Sequence, residues 1–289
     1  MANDSSGEWI EALCQIVRDA GDAILAIRHG NDLGVQRKAD DSPVTAADLA
    51  AQQVILDGLQ ELTDEPVVSE EAAAADWSRR RTWRRFWLVD PLDGTREFVG
   101  GRDEFTVNIA RIEDGVPVLG VVRAPALDRS WVGASERGAW RIDGDLAAGG
   151  TSRPLRASGT DEEQPVVVAS RSHRSAPLEV FLSRLSAHRQ VAVGSSLKFC
   201  ILAEGEADLY PRCSRIMAWD TAAGDAVLRA AGVQVTTWTG EPLSYGGESL
   251  RNRRFVATSA REVPWRDAAD AVRSLQDSGA AEPVFTEGP

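Results

Sequence analysis

In the run Trp87-Leu88-Val89-Asp90-Pro91-Leu92-Asp93-Gly94-Thr95, an apolar strand leads into two aspartates three residues apart, followed by a Gly-Thr turn. The strand delivers Asp90 to a rigid position, Pro91 is expected to stop its pairing, and Gly94 lets the backbone turn back beside Asp93. Oxygens clustered in this way are what a hard cation such as Mg²⁺ binds. Asp-Pro and Asp-Gly also mark ordinary turns, so this segment alone does not separate a metal site from a turn.

Three more segments carry acids at similar places. Pro66-Val67-Val68-Ser69-Glu70-Glu71 is a short β run ending in carboxylates, which is also how a solvated strand end looks. Trp219-Asp220-Thr221-Ala222-Ala223-Gly224 sets Asp220 at the start of a small-residue helix, where a helix cap is the alternative reading. Ser42-Pro43-Val44-Thr45-Ala46-Ala47-Asp48 has Thr45 and Asp48 in capping-box spacing ahead of a helix. Turn and cap chemistry accounts for each segment singly. It does not account for four of them, each at a strand end or helix start, in one chain.

In this order the segments resemble the lithium-sensitive, Mg²⁺-dependent inositol monophosphatase and fructose-bisphosphatase superfamily, whose pattern is an acidic pair, then Asp-Pro-(Leu/Ile)-Asp-Gly-Thr, then Trp-Asp-x-Ala-(Ala/Gly). Within it the chain looks most like the bacterial 3′(2′),5′-bisphosphate nucleotidases. That resemblance runs from about Ser42 to Leu243 and includes Asp93-Gly94-Thr95-Arg96-Glu97-Phe98, Glu104-Phe105-Thr106-Val107-Asn108-Ile109-Ala110, Ser170-Arg171-Ser172-His173 and Gly194-Ser195-Ser196-Leu197-Lys198-Phe199-Cys200. Two departures are Arg96, where relatives often carry lysine, and the stretch Ser249 to Phe255, which replaces an expected Leu-Asn-Pro turn.

The resemblance implies an enzyme of sulfur assimilation that hydrolyses the 3′-phosphate of adenosine 3′,5′-bisphosphate, with the sulfated form, 3′-phosphoadenosine 5′-phosphosulfate, as a further substrate. It implies two Mg²⁺ ions, with a third, looser position near Glu70 and Asp48. Asp90 would bridge the pair, Glu70 and the Leu92 carbonyl would complete one shell, and Asp93 and Asp220 the other. The absence of histidine from this set fits Mg²⁺ rather than zinc. A metal-activated water would attack, oriented by Thr95, with Glu70 or Asp48 accepting its proton. The amides of Gly94 and Thr95 would cradle the phosphate. Arg171, Ser172, His173, Ser195, Lys198 and Arg212 would hold the nucleotide and its second phosphate, although each also reads as a solvated or structural group. Asn108 and Thr106 are expected to support the strand and not to catalyse.

Helical spacing of Trp9, Leu13, Ile16, Val17, Ala20, Ile24 and Ile27 predicts a helix over Glu8–Arg28, and another follows over Ala46–Leu62. Strands are predicted at 86–89, 105–112, 116–123, 130–134 and 137–141, with Asp114-Gly115 as a tight hairpin. The Gly-, Ala- and Asp-rich stretch Asp143 to Thr151 is the expected linker between halves. Beyond it, strands (166–170, 190–193, 207–210, 233–238) alternate with helices (178–188, 196–204, 221–231), a pattern of layered sheets covered by helices. The fold class is therefore α/β (α+β), and the resemblance specifies a five-layer αβαβα sugar-phosphatase fold with mixed and antiparallel sheets and a site between the halves. Residues 1–150 would carry most metal ligands, 151–262 Asp220 and the specificity residues, and 263–289 would be an extension with a frayed end.

With 289 residues, 43% hydrophobic content and no long apolar run, the chain can bury a large core without a membrane span. Residues 1–8 are polar and the helix after them is amphipathic, so no signal peptide is expected and the cytoplasm is the expected compartment. Cys14, Cys200 and Cys213 form an odd count without Cys-x-x-Cys spacing, which argues against a disulfide framework or zinc ribbon. A net charge of −12 argues against nucleic acid or anionic membrane as a partner, despite the basic run Arg79 to Arg85, and leaves a small phosphorylated nucleotide. Monomer and homodimer both stay open. The competing readings are an inositol-1-phosphatase or fructose-1,6-bisphosphatase with the same metal ligands, and a non-catalytic metal-binding relative. A haloacid-dehalogenase-type phosphatase needs aspartates two apart, and a calcium loop needs its acids in one short segment.

Overall fold

The computed structural model describes residues 5–30, 33–37, 43–72, 82–171, 175–247 and 249–277. Helix α1 (Ser5–Arg28) buries Leu13, Val17, Ala20 and Ile24 along one face, as its periodicity requires. A short ribbon, β1 (Gln36–Arg37) with β2 (Pro43–Val44), leads to α2 (Ala46–Leu62), whose Ala47, Ala51, Ile55 and Leu59 form a buried i, i+4 stripe.

The first sheet has seven strands in chain order: β3 (Val67–Ser69), β4 (Arg85–Asp93), β5 (Thr106–Glu113), β6 (Val116–Ala124), β7 (Arg129–Ala134), β8 (Gly138–Asp143) and β9 (Thr151–Leu155). Only β3 and β4 run parallel. A short helix, α3 (Thr95–Val99), leaves β4. Along β4, Trp87 and Val89 enter the core under α1 and α2, while Phe86 and Leu88 enter the core on the opposite face. Both faces are covered, so the run reads as continuously apolar.

The second sheet has the order β11-β10-β12-β16-β14. Its strands and the helices between them are β10 (Val166–Ser170), α4 (Ala176–Arg184), β11 (Arg189–Val193), α5 (Leu197–Ala203), β12 (Leu209–Arg212), β13 (Ile216–Met217), α6 (Trp219–Ala230), β14 (Gln234–Thr237), β15 (Arg251–Asn252), β16 (Phe255–Thr258) and α7 (Arg266–Asp277). Helices α5 and α6 lie between the sheets, where Phe199 and Val227 share one core with Phe86, Tyr210 and Phe255. Phe181 of α4 and Ala268, Ala269 and Val272 of α7 pack on the outer face of the second sheet against Val167, Leu209 and Val256. The layers are thus αβαβα. No helix among the described residues is long and apolar enough to cross a membrane.

Two expectations change. Pairing of β4 does not end at Pro91: the ladder runs to Asp90 opposite Asn108, bulges over Pro91 and Leu92, and resumes at Asp93 opposite Thr106. Asp143 to Thr151 closes a hairpin between β8 and β9, so the first sheet continues to Leu155 instead of ending in a linker. The extension begins with a packed helix at Arg266–Asp277, and the end expected to fray, 278–289, lies outside the described residues. Of the three thiols, Cys200 and Cys213 are buried and Cys14 is half-buried; none is in a disulfide.

Helix α6 approaches the first sheet closely because Gly120 and Gly133 face it. A Cβ on Gly133 would lie 2.4 Å from Val227 Cα and 2.5 Å from the Ala226 carbonyl oxygen, both backbone atoms that cannot step aside. Gly133→Ala is therefore expected to destabilise the fold by about 3 kcal/mol through overpacking. Gly247→Ala, in open space, should stay within about 0.5 kcal/mol, and denaturant midpoints of the two variants measure the difference.

Candidate active site

Parallel pairing of β3 with β4 sets Ser69 opposite Val89, and the Glu70 amide donates to the Val89 carbonyl at 3.1 Å, so Glu70 stands beside Asp90. Asp220 enters from the first turn of α6. The N-cap of that helix is Ala218, so Asp220 does not cap it. Carboxylate oxygens of Glu70, Asp90 and Asp220 all lie within 4.8 Å of one another. Asp90 is buried, and its Oδ1 accepts the Leu92 amide at 3.0 Å across the bulge. Burial first, and then the like charges of Glu70, Asp93, Asp220 and Asp48, hold the Asp90 carboxyl well above the usual range. Asp220 is pushed up in the same way by burial, Asp93 and Glu70, with Arg212 opposing. These donors are all oxygen, and their mutual repulsion is what a divalent cation would reverse.

Asp48 does cap α2: its Oδ2 accepts the Thr45 amide at 2.7 Å and the Thr45 hydroxyl at 2.6 Å. It also reaches the site, because its Oδ1 lies 3.4 Å from Thr95 Oγ1. The single Thr95 hydroxyl hydrogen is shared between that oxygen and the Leu92 carbonyl at 3.2 Å. Gly94 precedes α3 with φ 89°, and a Cβ there would meet the Glu104 carbonyl at 2.9 Å.

From the second half, Lys198 is buried at the start of α5. Its Nζ donates to the Ser195 carbonyl and sits 5.9 Å from the centre of the Tyr210 ring. Burial, the largest influence, lowers its pKa to about 8, although Asp93 acts in the opposite sense. A cavity of about 260 Å³ brings Glu70, Asp90, Leu92, Asp93, Gly94 and Thr95 together with Ser195, Lys198, Arg212 and Asp220. Arg171 does not line it. Its guanidinium forms a two-pronged ion pair with Glu104 beside a neighbouring cavity. Ser172 and His173 lie outside the described residues, as do Arg79 to Arg81.

Two further residues of the site have no role in the sequence reading. Ser196 Oγ accepts from Asn108 Nδ2 at 3.0 Å and has one hydrogen to share between Asp93 Oδ2 at 2.7 Å and the Asp220 carbonyl at 2.9 Å. It thereby ties two acid segments together. Of the adjacent serines 195 and 196, only backbone geometry decides which faces the acids, so no sequence signal separates them. Tyr210 lines the cavity beside Arg212, and burial, with Arg212 opposing, pushes its pKa up to about 12. Its place at the end of a strand leading to Arg212 is the signal that was available.

The chain matches the inositol monophosphatase family over residues 6–279. It is 49% identical over 249 residues to the 3′(2′),5′-bisphosphate nucleotidase CysQ of Escherichia coli (strain K12), covering 85% of this chain and 98% of that protein. To CysQ of Buchnera aphidicola subsp. Acyrthosiphon pisum it is 40% identical over 240 residues, 82% of this chain and 88% of the relative. Among solved structures, CysQ from Bacteroides thetaiotaomicron superposes with a TM-score of 0.75 at 36% identity, covering 87% of this chain and 97% of that one. With carboxylates from three segments lining one cavity and similarity running nearly end to end, this chain belongs to the inositol monophosphatase family.

Proposed function

We propose that this protein is a Mg²⁺-dependent phosphomonoesterase that hydrolyses the 3′-phosphate of adenosine 3′,5′-bisphosphate to AMP and phosphate, with 3′-phosphoadenosine 5′-phosphosulfate as a second substrate. The observation that carries this reading is one cavity lined by Glu70, Asp90, Asp93 and Asp220 and also by cations, Lys198 and Arg212 from the second half and Arg96 from the first. Carboxylates suit any phosphomonoester, whereas a second phosphate calls for ammonium and guanidinium partners. Similarity to bisphosphate nucleotidases supports the same choice.

Glu70, Asp90, Asp93, Asp220 and the Leu92 carbonyl would hold two Mg²⁺ ions, with a third position near Glu70 and Asp48. When bound, Mg²⁺ supplies Lewis-acid charge at the phosphoryl group. The chain's own groups do the rest. The amides of Gly94 and Thr95, at the opening turn of α3, receive the scissile phosphate. A water bonded to Thr95 Oγ1 passes its proton through that hydroxyl to Asp48 Oδ1. Both donors of Thr45 engage Asp48 Oδ2 while Oδ1 faces Thr95, which favours Asp48 over Glu70 as the acceptor. Lys198 and Arg212 hold the second phosphate.

Phosphate release from adenosine 3′,5′-bisphosphate, inositol-1-phosphate and fructose-1,6-bisphosphate, with Mg²⁺ and with EDTA, tests the reading. Strong Mg²⁺-dependent preference for the nucleotide is expected. Preference for inositol or sugar phosphate, or no release from any of the three, would overturn it. Asp90→Asn and Asp220→Asn should each lower kcat by about a thousandfold or more with the fold retained, as circular dichroism would report. Lys198 binds phosphate as the ammonium, so KM for the bisphosphate should climb as pH rises through about 8. In Lys198→Met the KM should be higher throughout and that climb should be absent.

A further inference from the structure

Arg171 stands at the end of β10 and is engaged on three sides. Its Nε and one terminal nitrogen donate to the two carboxylate oxygens of Glu104 at 2.8 and 2.7 Å, and the same terminal nitrogen donates to the Ala192 carbonyl at 2.6 Å. Glu104 Oε2 also accepts the Gly194 amide at 2.9 Å. Glu104 belongs to the first half of the chain, in the segment joining α3 to β5, so its carboxylate fastens the end of β11 and the loop after it to that half.

The main chain of Glu104 touches both loops of the site. A Cβ on Gly94 would lie 2.9 Å from the Glu104 carbonyl oxygen, and one on Gly194 would lie 3.0 Å from the same atom. The loop that begins at Gly194 is strained: Ser195 has φ 47°, a conformation that residues other than glycine rarely adopt. Such a residue persists only where its surroundings hold it. On the inner side the hold is Ser196 Oγ on Asp93 Oδ2 at 2.7 Å; on the outer side it is the Gly194 amide on Glu104. Between the two anchors, the Ser195 carbonyl accepts Lys198 Nζ. Loss of the outer anchor lets Ser195 relax toward negative φ, and the carbonyl that seats Lys198 moves with it.

We propose that Glu104 and Arg171 are a positioning pair that fixes the Gly194–Ser196 loop, and through it the Lys198 ammonium, and so set affinity for the second phosphate of the substrate. For the substrate named, this rests on the function proposed above. Arg171 acts through Glu104 and the loop rather than by touching the nucleotide.

The test is steady-state kinetics of the full chain and of Glu104→Met, Arg171→Met and the double variant, on adenosine 3′,5′-bisphosphate and on adenosine 3′-monophosphate, which lacks the second phosphate. The pair is partly exposed, so a moderate effect is expected: each single change raises KM for the bisphosphate about fivefold, the double change no further, and KM for the monophosphate shifts less than about twofold. A KM raised by Arg171→Met but unchanged or lowered by Glu104→Met would overturn the proposal in favour of direct phosphate contact. So would additive losses, or an equal fall in kcat on both substrates. Hydrogen exchange at the Gly194 amide in substrate-free protein gives a reading independent of substrate: faster exchange in both single variants is expected, and unchanged protection overturns the pair. A chain that prefers inositol or sugar phosphate would sink the proposed function while leaving this exchange test intact. If Glu104→Met does not fold, Glu104→Gln, which keeps an acceptor without the charge, should shift exchange and KM in the same direction.

Discussion

The buried carboxylate of Asp90, with acid side chains from three other segments around it, sets the condition that the surrounding structure meets. Two unit charges within 4.8 Å repel by about 3.5 kcal/mol or more at an effective dielectric near 20, and the pairwise repulsions accumulate. A domain of this kind has only about 5–15 kcal/mol of net stability. Such a cluster persists only on elements that cannot separate, and it is relieved when a cation enters. The β4 bulge meets part of this requirement. It gives the Leu92 amide to Asp90 and leaves the Leu92 carbonyl at the cavity without ending the strand.

Rigidity comes from close packing on both sides of the acids. Gly120 and Gly133 let α6 lie against the first sheet, and Gly224 gives Phe199 of α5 room against the same helix. Asp220 is therefore carried by a helix wedged between two sheets rather than by a loop. At its first turn, Thr221 Oγ1 donates to the Ala218 carbonyl and accepts Asn252 Nδ2 at 2.5 Å, so the β13–β15 ribbon holds the helix start. The stretch from Ser249 to Phe255, which departs from the expected family turn, supplies that anchor in its own way. Across the cavity, the chain from Asn108 through Ser196 to Asp93 joins the first sheet to α5 by hydrogen bonds in which the shared serine both donates and accepts.

Residues whose local signals were strong could be read from sequence. Asp93 ends a strand and Glu70 follows one, both marked by apolar runs, while Asp90 lies inside β4 because pairing resumes beyond the bulge; the two longest predicted helices, α1 and α2, follow their periodicity. Asp220 shows the limit of a single segment: a carboxylate at a helix start reads first as a cap, yet the structure places the cap at Ala218. Asp48 belongs to the cap through one oxygen, which accepts from Thr45, and turns the other toward Thr95. What sequence spacing could not carry was pairing over distance. Arg171 meets Glu104 across 67 positions, which no periodicity encodes, so this ion pair could not be read from the motif that carries the arginine. Strand β9 was hidden because only Leu155 of its five residues is buried, leaving no alternation to see. Helix α7 was not predicted because the resemblance stops before it and its apolar face is small, formed by Ala268, Ala269 and Val272.

The most direct test of this account is thermal unfolding of the full chain and of Asp90→Asn, each stripped of metal and then titrated with Mg²⁺. Because burial and like charges raise the Asp90 pKa, its charged form costs stability above the ordinary carboxylate range. Near neutral pH, metal-free Asp90→Asn should then melt above the metal-free parent. Mg²⁺ should raise the parent's melting temperature and the variant's much less. A parent that gains nothing from Mg²⁺, or a variant that gains as much as the parent, would contradict the claim that these carboxylates are gathered to hold a cation.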